Sequence, residues 1–292
     1  MSHSTLIRTT IATLLLGCVW LAFTQQRKGG PGGGKKGAKK AQAMRIEKVR
    51  GNLHVIYGAG GNIGVLATDE GVILIDDKFD RMVAEIVSKV ETVSDKPIRY
   101  VLNTHHHGDH AGGNPTLMKT AEIIAHENAR ANMLRGSQPG IPNLSFAEQL
   151  SLDFGGAKVR AFYFGRGHTS GDAVIYFPDL RVIHTGDLFV RGAPFIDYGN
   201  GGASLEWDDT LNSILQLEFD TVIPGHGPVG TREDLIQWKE DYETYRNRIG
   251  DLSRQGKTPD NLAEALNVDD LKGWTIGSLQ MRSFEGLLRE LR

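Results

Sequence analysis

The chain has 292 residues, 40% hydrophobic and 23% charged, which suits an ordinary globular core and excludes collagen-like, coiled-coil and wholly disordered chains. A single cysteine excludes a disulfide scaffold and any cysteine-built metal cluster. Residues 1–43 hold seven of the 33 Lys and Arg and no acid, so residues 44–292 carry 26 basic against 35 acidic groups, the wrong sign for a nucleic-acid partner.

Residues 11–23 form an uncharged run rich in Leu and Ile behind Arg8. The run is shorter than the roughly 20 apolar residues of a membrane-spanning helix. It reads as the apolar part of an export signal over residues 1–24, which would make the protein periplasmic or secreted. Six Lys and Arg follow it between Arg27 and Lys40, the reverse of the usual charge bias. A short anchor with membrane contact through this N-terminal segment is therefore the second reading. Residues 25–43, dominated by Gly and Lys, have too little apolar surface to fold and read as a flexible basic linker.

From Met44 onward the pattern is that of one α/β domain, residues 44–292. Short β-rich runs at 53–57, 63–68 and 72–76 are divided by glycine-containing turns. Asp80 can cap a helix with Val83, Ile86, Val87 and Val90 on one face, and strands are expected at 98–104 and 122–125. A second β-rich block follows at 159–164, 173–177 and 181–185. A helix is expected at 204–217 and a strand at 221–224. The helix at 231–249 opens on a Thr231/Asp234 capping pattern and should bury Leu235, Trp238, Tyr242, Tyr245 and Ile249. Two further helices fit residues 258–292.

The chemistry concentrates first at Thr104-His105-His106-His107-Gly108-Asp109-His110, directly after an apolar strand. In an extended segment His105 and His107 share one face and His106 points away. A turn at Gly108 lets Asp109 and His110 swing to the same place. Neutral imidazoles and a carboxylate converging at a strand end are the donors a Zn-class cation requires. Three later residues repeat one grammar, an apolar strand ending in a ligand-capable group beside glycine: His168, Asp187 and His226. Five histidines and two aspartates suffice for two adjacent metals. His54, His126 and His184 read as structural or exposed, and His106 at most as a neighbour of a ligand. Residues 195–202 mix aromatics with glycines just after Asp187, as a substrate-facing loop would, which nominates Phe195, Tyr198 and Asn200 as substrate contacts. The competing reading is a well-packed connection.

The order His-x-His-x-Asp-His, His, Asp, His across residues 105–226 resembles the metallo-β-lactamase superfamily. The stretch THHHGDHAGGN at 104–114 is similar to the thioester-cleaving glyoxalase II motif. The stretches GHTSGD at 167–172, HTGDLF at 184–189 and PFIDYGNGG at 194–202 resemble exported lactamase-like hydrolases, some associated with quinoprotein relay systems. The best-known dizinc lactamases carry Cys where this chain has Asp187, and their substrate-binding Lys falls on Val190. The resemblance implies a four-layer αββα sandwich and two zinc ions. One ion would be held by His105, His107 and His168, the other by Asp109, His110 and His226, with Asp187 bridging. It further implies hydrolysis of an amide, ester or thioester of a small molecule, β-lactams and thioesters included. Asp109 would orient the attacking hydroxide and move its proton, with no covalent enzyme intermediate. Two alternatives are a mononuclear iron sulfur dioxygenase, whose ligands are a subset of these, and a periplasmic relay protein that binds metal without turnover.

Overall fold

The computed structural model describes residues 43–292, so the export, linker and membrane-contact expectations lie outside the described residues. Among these residues, no helix is long and apolar enough to cross a membrane.

Seven strands form the first sheet in chain order: β1 (Arg45–Arg50), β2 (Leu53–Tyr57), β3 (Ile63–Ala67), β4 (Val72–Ile75), β5 (Ile98–Asn103), β6 (Glu122–His126) and β7 (Leu144–Phe146). The first four are an antiparallel meander, and β4 to β7 run parallel. Parallel neighbours need crossovers. These contain α1 (Val83–Glu91), the single turns α2 (Gly108–Ala111) and α3 (Asn114–Leu117), and α4 (Glu127–Arg135). The second sheet holds β8 (Gln149–Phe154), β9 (Ala157–Phe162), β10 (Val174–Phe177), β11 (Val182–His184), β12 (Thr221–Ile223) and β13 (Gly230–Thr231), in the order β13-β12-β11-β10-β9-β8. The remaining helices are α5 (Ser204–Ile214), α6 (Arg232–Arg254), α7 (Pro259–Ala265) and α8 (Phe284–Glu290).

Side-chain alternation along the strands sorts the core into three interfaces. Ile73 and Ile75 of β4 face inward and meet Ile175, Phe177 and Val182 of the second sheet. Val72 and Leu74 of the same strand face outward and pack against Val83, Ile86 and Val90 of α1. On the far side Val174, Ile183 and Val222 are covered by α5, α6 and the C-terminal helices through Trp207, Trp238, Tyr242 and Phe284. Helix, sheet, sheet, helix is the αββα sandwich.

The helix α6 opens with the Thr231/Asp234 capping box, and its five expected core residues are all buried. The sequence reading missed β1, β7, β8, β13, the single turns α2 and α3, and α4. In β8 the alternation is present, with Leu150, Leu152 and Phe154 half-buried between exposed Gln149, Ser151 and Asp153. At Asp80 the chain makes a 3₁₀ turn, and α1 starts only at Val83.

The C-terminal helix is tied across the chain. Glu290 on α8 accepts hydrogen bonds from the Tyr198 hydroxyl at 2.6 Å, the Ser204 amide at 2.9 Å and the Ser204 hydroxyl at 2.6 Å. It thereby caps α5 from 86 residues away. Replacing Glu290 with Ala strands these donors and should lower stability by about 1.5–3 kcal/mol. The check is a urea titration in which the midpoint falls and the slope is kept.

Candidate metal centre

The topology sends every candidate ligand to one edge. The strand β5 ends just before His105 and runs parallel to β4, which ends just before Asp76. In the second sheet β11 and β12 are parallel and end just before Asp187 and His226. The strand β10 is antiparallel to both β9 and β11, so the chain leaving β9 toward His168 reaches the same edge. The edge is stitched by the Ala173 amide donating to the Thr104 carbonyl at 2.7 Å. Asn62 holds the His226 loop through the Pro224 carbonyl at 2.9 Å and the Gly227 carbonyl at 2.8 Å. The Asp187 loop is held by Trp207 donating to the Leu188 carbonyl at 3.2 Å and Trp238 to the Gly192 carbonyl at 2.8 Å.

Four of the five imidazoles are oriented by a partner on the side away from the centre. His110 Nδ1 donates to Asp76 Oδ2 at 2.7 Å, and His107 Nε2 donates to Asp197 Oδ2 at 2.8 Å. His168 Nδ1 donates to the Phe195 carbonyl at 2.7 Å. The Thr104 hydroxyl gives its proton to Asp76, so it accepts from His105 Nδ1 at 3.1 Å. Each of these rings then turns its other nitrogen inward, where the neutral form offers a lone pair. Burial pushes His105 and His168 below their ordinary values, which keeps them in the neutral, ligating form.

The inward atoms fall into two triads. His107 Nδ1 lies 3.2 Å from His105 Nε2 and 2.9 Å from His168 Nε2. His110 Nε2 and His226 Nε2 are 3.3 Å apart, with Asp109 Oδ2 at 3.8 Å and 3.4 Å from them. Asp187 reaches both triads. Its Oδ1 is 3.2 Å from His110 Nε2 and 3.3 Å from His226 Nε2, and its Oδ2 is 3.6 Å from His168 Nε2. A tetrahedral ion with bonds of 2.0–2.1 Å spaces its ligands about 3.3 Å apart. Imidazole lone pairs held at this spacing repel one another unless a cation sits among them, and buried Asp187 Oδ1 accepts no hydrogen bond. The residues fit a metal site. Burial opposes charge on both His110 and Asp187. The Asp187 and Asp76 carboxylates nonetheless raise His110, and His110 and His226 lower Asp187, so the field favours a cation at this spot.

Two glycines are required by close approach. A Cβ at Gly61 would overlap the His110 ring, and one at Gly225 would overlap Asp187 Oδ1. Asp76 itself sits at φ 66° and Lys78 at φ 58°, both fully buried. Such strain persists only where surrounding bonds over-determine it. Here those bonds come from Thr104, His110 and the Gly61 carbonyl.

All seven sequence-nominated ligands meet at this edge. Asp76 and Asp197, which orient two of them, escaped the sequence reading. His106 is buried beside His107 and faces Asp197, and burial pulls it down to about 3. His126 caps α4 and stacks on Tyr163, His184 is buried under Asn62, and His54 is half-buried. Of the three nominated substrate contacts only Phe195 faces the centre. Asp197 caps a 3₁₀ turn at Tyr198–Asn200, which throws Tyr198 toward Glu290 on α8. The same turn sends Asn200 back to Asp197 at 2.6 Å and to Arg135 at 2.7 Å. Tyr198 and Asn200 are thus packing and positioning residues.

A cleft of about 640 Å³ opens over the centre, lined by Asp109, Asp187 and His226 and walled by Phe79, Val190, Ala193 and Phe195. A larger depression of about 870 Å³ lies at the opposite ends of the strands among Asn52, Thr68 and Lys158. It has no histidine, so size alone does not locate the chemistry.

An αββα sandwich with a His/Asp metal cluster on one sheet edge defines a metallo-hydrolase architecture. The family model of the metallo-beta-lactamase superfamily matches residues 56–226, and the chain belongs to that superfamily. It is 33% identical over 178 residues to the metallo-beta-lactamase type 2 of Bacillus cereus, covering 59% of this chain and 69% of that protein. It is 27% identical over 188 residues to the hydroxyacylglutathione hydrolase of Nostoc punctiforme, covering 62% and 66%. The crystal structure of DIM-1 metallo-beta-lactamase superposes with a TM-score of 0.62 at 21% identity, covering 70% of this chain and 99% of that one. That likeness is one of fold.

Because Asp76 fixes the His110 ring, Asp76→Ala should weaken zinc binding about 10–100-fold. Competition against a chromophoric chelator measures it, and a folded variant with unchanged affinity would remove Asp76 from the centre.

Proposed function

We propose that the chain is a dinuclear zinc hydrolase that cleaves an amide, ester or thioester bond of a small molecule. The observation that carries the reading is the pair of donor triads joined by Asp187, one oxygen toward each. A relay protein that merely stored an ion would need one closed four-ligand shell, whereas these triads lie under an open cleft. The second triad, Asp109, His110 and His226, likewise favours two ions over the mononuclear alternative. The relatives named above supply the substrate classes worth trying.

When bound, zinc at such a site lowers the pKa of its water to about 7 and polarises a carbonyl oxygen. The chain supplies the rest. Asp109 is partly exposed at the cleft floor, with Oδ2 facing His226. In this reading it would hold the attacking water and carry its proton to the departing heteroatom. Phe79, Val190, Ala193 and Phe195 shed water from the acyl group that lies against them. Asp76, Asp197 and the Phe195 carbonyl keep the rings from turning during the reaction.

The zinc-loaded protein should turn over at least one of a chromogenic β-lactam, p-nitrophenyl acetate and S-lactoylglutathione. Chelator should abolish turnover and zinc restore it, with two equivalents of metal per chain by elemental analysis. Asp109→Asn should cost about 10²–10⁴ in kcat. Two bound metals with no turnover on any substrate would favour the relay reading. Export through residues 1–24 belongs to the same proposal, and the mature N-terminus, sequenced from expressed protein, decides it.

A further inference from the structure

Two of the acceptors that aim the imidazoles sit on one short connection. The Phe195 carbonyl takes the proton of His168 Nδ1, and the Asp197 carboxylate takes that of His107 Nε2. Between them lies Ile196, buried, in a stretch with no strand or helix of its own. Its two peptide units are trans, so each shows its carbonyl on one edge and its amide on the other. One pair of groups faces His168: the Phe195 carbonyl accepts from the ring at 2.7 Å, and the Asp197 amide donates to the His168 carbonyl at 2.8 Å. The other pair faces Ser283. The Ile196 amide donates to the serine hydroxyl at 2.9 Å, and that hydroxyl donates to the Ile196 carbonyl at 3.1 Å. Among the described residues these two Ile196 groups have no other partner. The stretch is gripped along both edges, by His168 on one and by a single hydroxyl on the other.

Ser283 forgoes a local role in doing this. It stands at the N-cap of α8, where a serine hydroxyl ordinarily accepts from an amide of the first turn, yet it makes no cap bond. The side chain, 1% exposed, is turned instead to a residue 87 positions earlier. The neighbouring Arg282 covers the Phe195 ring, its guanidinium carbon 4.1 Å from the centroid. That ring in turn stacks on His107, centroids 5.9 Å apart and planes 23° from parallel.

We propose that Ser283 is a positioning residue for the triad of His105, His107 and His168: its hydroxyl fixes the two peptide planes that aim His168 and carry Asp197 to His107. Without it the buried amide and carbonyl of Ile196 are left unpaired, and the planes turn to find partners. The Phe195 carbonyl then leaves the line of His168 Nδ1. The triad of Asp109, His110 and His226 is spared, because His110 is aimed from Asp76. The coupling is reciprocal, so metal among the three histidines tightens the C-terminal segment as much as that segment tightens the metal. The inference rests on the metal-centre reading and needs no turnover.

The test uses the full chain and zinc. Chelator competition gives the stepwise zinc affinities, and His168→Ala, which leaves only the Asp109 triad intact, shows which affinity belongs to which triad. Ser283→Ala should weaken the His168 triad about tenfold and leave the other unchanged. Val90→Ala, a cavity on the remote α1 face, should lower the thermal midpoint and change neither affinity. Hydrogen exchange in the parent should slow at residues 280–286 when zinc is added and stay as it was in α1. That measurement needs no variant, so it decides the matter even if Ser283→Ala does not fold. Unchanged zinc affinity in folded Ser283→Ala, an equal loss at both triads, a loss of the same size in Val90→Ala, or no zinc-dependent protection at 280–286 would each overturn the proposal. A parent that binds no zinc would overturn the metal centre and this proposal together. Two bound ions without turnover would overturn the hydrolase reading alone.

Discussion

Everything at the sheet edge depends on outward hydrogen bonds that decide which nitrogen of four imidazoles faces in. Asp76, Asp197, Thr104 and the Phe195 carbonyl each take one ring proton, and lone pairs are left converging on lone pairs. In the triad of His105, His107 and His168 no exchange of protons relieves that crowding while those partners hold. A metal ion does, because it accepts every donor at once. The strained backbone of Asp76 and Lys78 and the bare glycines at 61 and 225 follow from the same need to bring polar atoms closer than side chains allow.

The helices on the far face serve this edge at a distance. The tryptophans of α5 and α6 hold the carbonyls flanking the Asp187 loop, and Glu290 on α8 fastens Tyr198 and the start of α5. The segment leading into α8 then places Ser283 on Ile196 and Arg282 over Phe195. The C-terminal stretch thus contributes to the wall of the cleft as well as to the core. It does so across a sequence distance of nearly ninety residues.

The ligand set was legible because four ligands share one His/Asp motif after an apolar strand and the other three each follow a glycine beyond a strand, and strand ends in a two-sheet sandwich gather at common edges. The capping box of α6 and its aromatic stripe were legible because helical period and cap are local signals. Asp76 follows an apolar strand too, but without a histidine or glycine beside it to mark it. Asp197 is one acid inside a loop read for its aromatics. Tyr198 misled because an aromatic next to a metal ligand looks the same in sequence whether it faces a substrate or a helix. Its partner, Glu290, is 92 residues away. Arg282 carried no local signal at all, since only tertiary contact puts it beside Phe195.

The donors are divided between the two halves of the sandwich. His105, His107, Asp109 and His110 follow β5 of one sheet, whereas His168, Asp187 and His226 follow strands of the other. An ion gripped from both sides is a rivet through the seam, and its binding energy adds to that of the folded state. Under the proposed function, removing the metal would stop turnover and also withdraw that contribution from the fold, so resistance to protease becomes a readout of cation supply.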